Sequence, residues 1–234
     1  MKVRRILATL AATAALFTGA LPAAAAPVPA PRAHGSSADG RVTRNVPEFL
    51  TQCSTEYFQG DKRLGPLRLP VLGVVGTEVR SYRRTGRLST KAFLSLYWKP
   101  APGSGGSWIY PPQDGYVLNP DGTPRKSRTT LQPGEDIDRF GSEYGAFLAP
   151  EGLPYTDRSI PPASLDGDPA TGCNYHDYRV LKAFTVDSGP IAPWFSQRGL
   201  GTQYQLNRAL VPGAPAEGFN VGWLVSKGFL QRLI

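Results

Sequence analysis

Two arginines and a glutamine, with one histidine behind them, are the residues of this sequence whose types and spacing suit chemistry on an anion. Between residues 132 and 162, Pro133-Gly134 is followed by acidic residues and Asp138-Arg139-Phe140-Gly141. A glycine-spaced aromatic run to Phe147 and then Arg158-Ser159-Ile160-Pro161-Pro162 complete the stretch. Segments so dense in Gly and Pro are poor material for a helix or an inner strand. They suit surface loops presenting guanidinium forks, which grip phosphate or carboxylate bidentately. Equally, such loops can simply bridge strands with both arginines solvated. A second segment, 191–204, carries Arg198, Gly199, Gly201, Thr202 and Gln203. Glycine lets backbone N–H groups approach a ligand closely, and the glutamine amide can both donate and accept. In a plain glycine hairpin Gln203 would be an ordinary polar edge residue.

His176 stands between Tyr175 and Asp177. Neighbours along a strand point to opposite faces, so His176 and Asp177 make no dyad. No Gly-x-Ser-x-Gly elbow is present, no Gly-x-Gly-x-x-Gly follows a strand, and there is no P-loop. These absences argue against a serine hydrolase and against Rossmann or P-loop nucleotide sites.

The chain of 234 residues has a formal net charge of +8. Residues 1–5 carry Lys2, Arg4 and Arg5, 6–21 are apolar and 23–26 are small, the three-part pattern of a secretory signal. The apolar run is broken by Thr and Gly and is short for a membrane span. Removing residues 1–26 leaves about 208 residues at a charge of about +5, consistent with one domain plus an appendage. That excess suits an anionic ligand. No nucleic acid is expected, since no Lys/Arg block or RNA-binding motif accompanies the charge. No other apolar stretch is long enough to cross a membrane, so a secreted, extracellular protein free of the membrane is expected. Cys53 and Cys173, 120 positions apart, read most simply as one disulfide in an exported protein. With His34 and His176 the remaining imidazoles, a zinc site has almost nothing to work with, and no metal is expected.

The elements that must position these residues are short. Residues 27–45 have the Pro, Ala, Gly and Ser content of a disordered linker. Apolar spacing from Leu72 to Tyr82 is helical, and Ser89 can cap a second helix with Phe93, Leu94 and Tyr97 on one face. A flexible joint at 103–106 divides the chain. Beyond it, strand-like runs at 108–110, 116–118, 137–140, 175–184 and 202–206 alternate with Pro and Gly turns. Residues 175–186 read as a half-buried strand with Tyr178, Val180, Phe184 and Val186 on one face. A closing helix at 221–227 has Gly228 as its C-cap. This pattern gives an α+β fold, a small, mostly antiparallel sheet with few short helices.

In order along the chain stand Tyr110-Pro111-Pro112-Gln113-Asp114-Gly115-Tyr116, the Pro133-Gly134 turn, Asp138-Arg139-Phe140-Gly141, Gly145-x-Phe147-Leu148-Ala149-Pro150, Arg158-Ser159-Ile160-Pro161, Tyr175-His176-x-Tyr178-x-Val180 and the run 192–204. In this ordered set the sequence resembles the secreted NAD glycohydrolases typified by the tuberculosis necrotizing toxin (TNT) domain, over residues 107–234. Residues 46–106, with Gly60-Asp61-x-Arg63-Leu64-Gly65-Pro66 and Phe93-Leu94-x-x-Tyr97-Trp98, resemble the N-terminal thumb of the secreted fungal members. With the signal peptide at 1–26 and the linker at 27–45, the resemblance implies a thumb at 46–106 and a TNT-like domain at 107–234, with Cys53–Cys173 joining the last two.

The resemblance also implies cleavage of NAD, and possible use of NADP, to nicotinamide and ADP-ribose, with the dinucleotide as substrate and no cofactor. Nicotinamide already bears the pyridinium charge and departs neutral, so the paired carboxylates of an ordinary glycosidase are unnecessary. A grip on the pyrophosphate, a cavity for the ribose and stabilisation of an oxocarbenium-like transition state are needed instead. Matched by position, Arg139 would hold the pyrophosphate and Phe140 would wall the nicotinamide. Gln203 would orient the ribose or the attacking water, with His176 as a further catalytic residue. Phe147, Arg158, Gly199, Gly201 and Thr202 would contact substrate. Phe147 stands where the toxin has tyrosine, so it brings no phenol hydroxyl. The fungal relatives bind calcium, and no compact acidic loop here resembles such a site. Two alternatives remain, ADP-ribosyl transfer or cyclisation on the same scaffold, and a secreted domain that binds NAD without turnover. Whether an inhibitor protein partners the chain is not written in the sequence.

Overall fold

The computed structural model describes residues 46–234 except 104, 168 and 169, so the signal sequence and linker expected in 1–45 lie outside the described residues. The described chain starts with 3-10 turns and two short helices, α1 (Gly73–Glu78) and α2 (Thr90–Tyr97). Helix α1 stops well before Tyr82, in keeping with the low helix propensity of Gly73 and Gly76. Helix α2 begins as expected, Ser89 Oγ accepting from the Ala92 N–H at 3.2 Å and Phe93 buried. A hairpin of β1 (Trp98–Pro100) and β2 (Gly106–Trp108) follows. Gly106, the last residue of the expected joint, opens β2 of that hairpin, and Trp98 stands opposite Trp108 with their rings edge to face at 5.1 Å.

Seven further strands form the central sheet: β3 (Ser127–Leu131), β4 (Asp136–Phe140), β5 (Phe147–Pro150), β6 (Tyr175–Val180), β7 (Phe184–Pro190), β8 (Thr202–Gln205) and β9 (Leu230–Arg232). Their order is β3-β7-β8-β5-β4-β6-β9, and every pairing is antiparallel. The fold is the expected α+β arrangement. Period-two alternation sends Ile137, Leu148, Tyr178, Val180, Phe184 and Val186 to one face, where they close on Val221 and Leu224 of helix α3 (Val221–Ser226). Burying each such side chain contributes about 1.5–3 kcal/mol relative to leaving it exposed. Asn220 caps α3 by accepting from the Trp223 N–H at 2.9 Å, and Gly228 (φ +68) follows its end.

The strand expectations change in several places: the run at 116–118 makes only isolated bridges, Tyr116 with Ile191 and Leu118 with Pro124, and of 108–110 only Trp108 lies in a strand. The half-buried strand read at 175–186 is two strands that do not pair with each other. β6 lies between β4 and β9, and β7 between β3 and β8. Alternation survives the bend at Leu181–Ala183, so both strands feed one core. Strands β3, β5 and β9 carried no strand expectation. β9, after α3, has only three residues, too few to show a period.

The opposite face of the sheet carries Asp138, Phe140, Ala149, Tyr175 and Gln203. Phe140 and Tyr175 pack there with Tyr155, Leu165, Val79 and the Cys53–Cys173 pair, whose Cα atoms are 5.3 Å apart in a formed disulfide. Residues 44–234 make one compact unit. Among the described residues no helix is long and apolar enough to cross a membrane.

Candidate active site

β4 and β5 pair only at Ile137–Pro150 and Asp138–Ala149. Past that point the strands splay, and the Arg139 side chain fills the gap. Its Nε donates to the Gly141 carbonyl at 2.9 Å and its Nη1 to the Phe147 carbonyl at 2.6 Å, so one guanidinium stands in for the missing ladder bonds. The sequence must leave room for it: a Cβ on Gly145 would overlap the guanidinium, and one on Gly141 (φ +112) would meet Nη2 at 3.1 Å. Both hydrogen bonds of Arg139 go to neutral carbonyls, and no carboxylate reaches it among the described residues. Burial disfavours its charged form, with Tyr178 and Glu143 opposing that effect. A desolvated guanidinium without a counter-charge is suited to receive an anion. Arg139 sits in the strand expected at 137–140, one residue from its end, and that strand is an inner one in spite of the Gly and Pro around it.

Beside Arg139 opens a cleft of about 550 Å³. Phe140, Leu148, Ala149 and Gln203 line it from the sheet, and Phe147 stands half-exposed at its side. Tyr110, Pro111, Asp114 and Gly115 line it from the Tyr110–Tyr116 segment, and Ser159, Ile160 and Ile191 from two further loops. Phe140 is fixed edge to face against Tyr155 at 5.0 Å and tilted against Tyr175 at 5.0 Å.

Gln203, 8% exposed, donates from Nε2 to the Asp114 carbonyl at 3.0 Å. Only the amide nitrogen can donate to a carbonyl, so the amide oxygen is the end left over. The turn offering that carbonyl is strained: Gln113 and Asp114 have φ of 52° and 56°, and Gly115 of 79°. Each of the two non-glycine residues in this left-handed region costs about 1–3 kcal/mol, a cost found repeatedly at functional sites.

Three comparisons with known proteins bear on this cleft. Residues 130–233 match the family described as Tuberculosis necrotizing toxin, TNT. Over 185 residues the chain is 42% identical to the conidial surface nicotinamide adenine dinucleotide glycohydrolase nadA of Aspergillus fumigatus, covering 79% of this chain and 74% of the relative. The chain belongs to the TNT-type NAD glycohydrolase family. Solved structures show weaker likeness. Tuberculosis necrotizing toxin complexed with its immunity factor IFT gives a TM-score of 0.44 at 19% identity, covering 62% of this chain and 71% of that one. Tse6 in complex with Tsi6 gives 0.28 at 16% identity, covering 47% and 72%.

Of the family positions carried over by sequence, Arg139, Phe140, Phe147, Arg158 and Gln203 line one cleft. The other four are placed elsewhere. His176 lies directly opposite Arg139 in the ladder, so both side chains start on the α3-side face, but Arg139 reaches through the gap between the splayed strands and His176 does not. It is not part of the cleft lining. Its ring stacks on Tyr178 at 6.3 Å, its Nε2 is buried without a partner among the described residues, and burial lowers its pKa from 6.5. Gly199 and Gly201 have no N–H to offer a substrate, since Gly199 donates to the Thr156 carbonyl and Gly201 to that of Asp157, each at 3.1 Å. Their small size serves packing instead, for a Cβ on either would press into Ile191–Pro193 or Leu153. Thr202 pairs with Pro190 as the first residue of β8 and stays outside the cleft.

Arg158 lines the cleft, but its fork is already engaged. Nη1 and Nη2 hold the two oxygens of Asp138, Nη2 also reaches Glu78 Oε2 at 2.8 Å, and Nε donates to the Leu153 carbonyl at 3.0 Å. Its carbon Cζ lies 5.1 Å from the Phe140 ring centroid. Arg158 therefore shapes the wall rather than meeting substrate with a free charge. Glu78 escaped the sequence reading, and Asp138 was visible in its motif but not as a partner of Arg158, since a buried carboxylate looks like any surface acid until its partner is placed. Asp114 was visible within its motif but gave no hint that its carbonyl would seat Gln203. Among the described residues no group of three or more His, Cys, Asp or Glu is placed to hold a metal ion.

Proposed function

We propose that this protein hydrolyses the nicotinamide–ribose bond of NAD, releasing nicotinamide and ADP-ribose, in the cleft bounded by Arg139, Phe140 and Gln203. One observation carries the reading. In a chain 42% identical to a surface NAD glycohydrolase, an uncompensated guanidinium and an orientation-locked amide face one cavity. Arg139 holds the pyrophosphate, replacing the water that burial removed from it. Phe140 offers a flat apolar wall to the nicotinamide ring. The Gln203 amide oxygen accepts from a ribose hydroxyl or from the attacking water, fixing the reacting atoms in line. As the C–N bond breaks, its electron pair returns to the pyridinium ring and nicotinamide leaves neutral. Water then adds to the anomeric carbon and loses a proton to solvent.

Residues 46–106 act as a thumb on residues 107–234, and the protein works outside the cell or at its surface. The signal-like pattern of residues 1–26 and the surface location in the relative's name support this. Incubation of the protein with NAD and with NADP, followed by chromatographic identification of products, tests the reading. Free ADP-ribose in step with nicotinamide supports hydrolysis. A cyclic product or labelled protein means a different acceptor, and no nicotinamide release overturns catalysis altogether. The NADP arm decides whether a 2′-phosphate is accepted.

A further inference from the structure

One cluster of buried ionisable groups has no role in the chemistry above. Glu78, the last residue of α1, is 1% exposed and sits against Arg158 and Asp138, which is 0% exposed. The groups facing it are the guanidinium of Arg158, the carboxylate of Asp138 on β4 and the hydroxyl of Tyr175 on β6, which donates to Asp138 at 3.2 Å. A single guanidinium thus meets two carboxyl groups. Glu78 Oε1 is buried with no hydrogen-bond partner among the described residues, so a negative charge there is poorly compensated. Through Arg158 this cluster touches the cleft wall, because Arg158 lines the cavity and stands over Phe140.

We propose that Glu78 is a positioning residue of the active site: its carboxyl completes the seat of Arg158, and its charge state sets how strongly the cleft holds the anionic part of the substrate. This rests on the NAD glycohydrolase reading. With Glu78 neutral, one positive and one negative charge balance beneath the wall. With Glu78 ionised, the cluster carries a net negative charge beside a cavity that must accept a pyrophosphate. Burial holds Glu78 up to about 8, with Arg158 opposing the rise and Asp138 adding to it, so the change falls in a range accessible to assay. A unit charge acting over ~10 Å at an effective dielectric of ~20 changes affinity roughly ten-fold.

The experiment measures inhibition constants for ADP-ribose, which is anionic, and nicotinamide, which is neutral, between about pH 6.5 and 9.5. Wild-type protein and Glu78→Gln are compared. In the wild type, ADP-ribose should weaken roughly ten-fold through about pH 8 while nicotinamide stays level. In Glu78→Gln, which keeps the shape and cannot ionise, the ADP-ribose profile should flatten. A wild-type ADP-ribose profile already flat across the range overturns the proposal, even if the variant fails to fold. So does an unchanged slope in a folded Glu78→Gln. Wild-type protein that releases no nicotinamide from NAD would instead remove the functional reading on which the proposal stands.

Discussion

The side-chain amide of Gln203 is anchored to the main-chain carbonyl of Asp114, 89 positions earlier, at 3.0 Å. This bond ties the inner strand β8 to the strained Gln113–Gly115 turn and fixes which end of the amide faces outward. It makes Gln203 a preorganised group, whose contact needs no rearrangement when substrate arrives.

Arg139 and Gln203 should therefore fail in different ways. Arg139→Ala removes a phosphate contact made in ground and transition states alike, so KM for NAD should rise strongly with less change in kcat. Arg139→Lys should rescue poorly, because an ammonium cannot span the Gly141 and Phe147 carbonyls as the fork does. Steady-state kinetics on both variants gives the split. A wild-type KM in Arg139→Ala would remove the pyrophosphate assignment.

Gly145→Ala offers a test that leaves every charged residue in place. Its new Cβ overlaps the Arg139 guanidinium and must displace it. The variant should fold, show a raised KM in the same direction as Arg139→Ala, and add little to Arg139→Ala when the two are combined. Additive effects in the double variant would mean that Gly145 acts on something else.

Stability should fall as pH rises from about 4.5 to about 8. Glu78 has a folded-state pKa of about 8, above its ordinary 4.5. Between those values the folded chain holds a proton that the unfolded chain has released. The stability linked to Glu78 is thus fully present below about 4.5 and lost as pH rises through about 8. Thermal unfolding followed from pH 5.5 to 9 should show the decline, and Glu78→Gln should lessen it. Arg158→Ala should be far more damaging, by about 3–5 kcal/mol, since it leaves Asp138 buried without its cation.

Reduction of Cys53–Cys173 frees a loop of 120 residues. In the chain-entropy view that costs about 4–5 kcal/mol of stability. Cys53→Ser and Cys173→Ser should each lower the unfolding midpoint, and reductant should shift the wild type but neither variant. Equal midpoints with and without reductant would show that the bridge contributes nothing.

Much of this was legible in the sequence, and the reasons for the rest are physical. Alternation found β4, β6 and the Tyr178–Val186 core face, because one buried side imposes a period of two. It could not see that the chain bends at Leu181–Ala183, since the bend preserves the alternation. Ser89 and Gly228 marked helix ends because capping is local. Gly and Pro around Arg139 read as loop, whereas they belong to the splayed end of an inner strand and leave space for its fork. Gly199 and Gly201 looked like a ligand cradle. Whether a glycine admits a substrate or a neighbouring segment depends on what the fold brings against it, and here it brings Ile191–Pro193 and Leu153. The Asp138–Arg158–Glu78 cluster joins residues 20 and 80 positions apart, a distance at which spacing carries no signal.

The central claim is that nicotinamide is cleaved from NAD in the cleft that Gln203 faces. The most direct measurement is the rate of nicotinamide release from NAD by wild-type protein, Gln203→Ala and Gln205→Ala, the last lying two positions on in the same strand and outside the cleft lining. Loss of one preorganised contact typically lowers turnover by roughly 10²–10³-fold, about 2.7–4 kcal/mol. Gln203→Ala should show that loss in kcat while still binding ADP-ribose through Arg139, and Gln205→Ala should stay near wild type. Wild-type turnover in a folded Gln203→Ala protein would contradict the assignment of the active site, and no release by the wild type would contradict the activity itself.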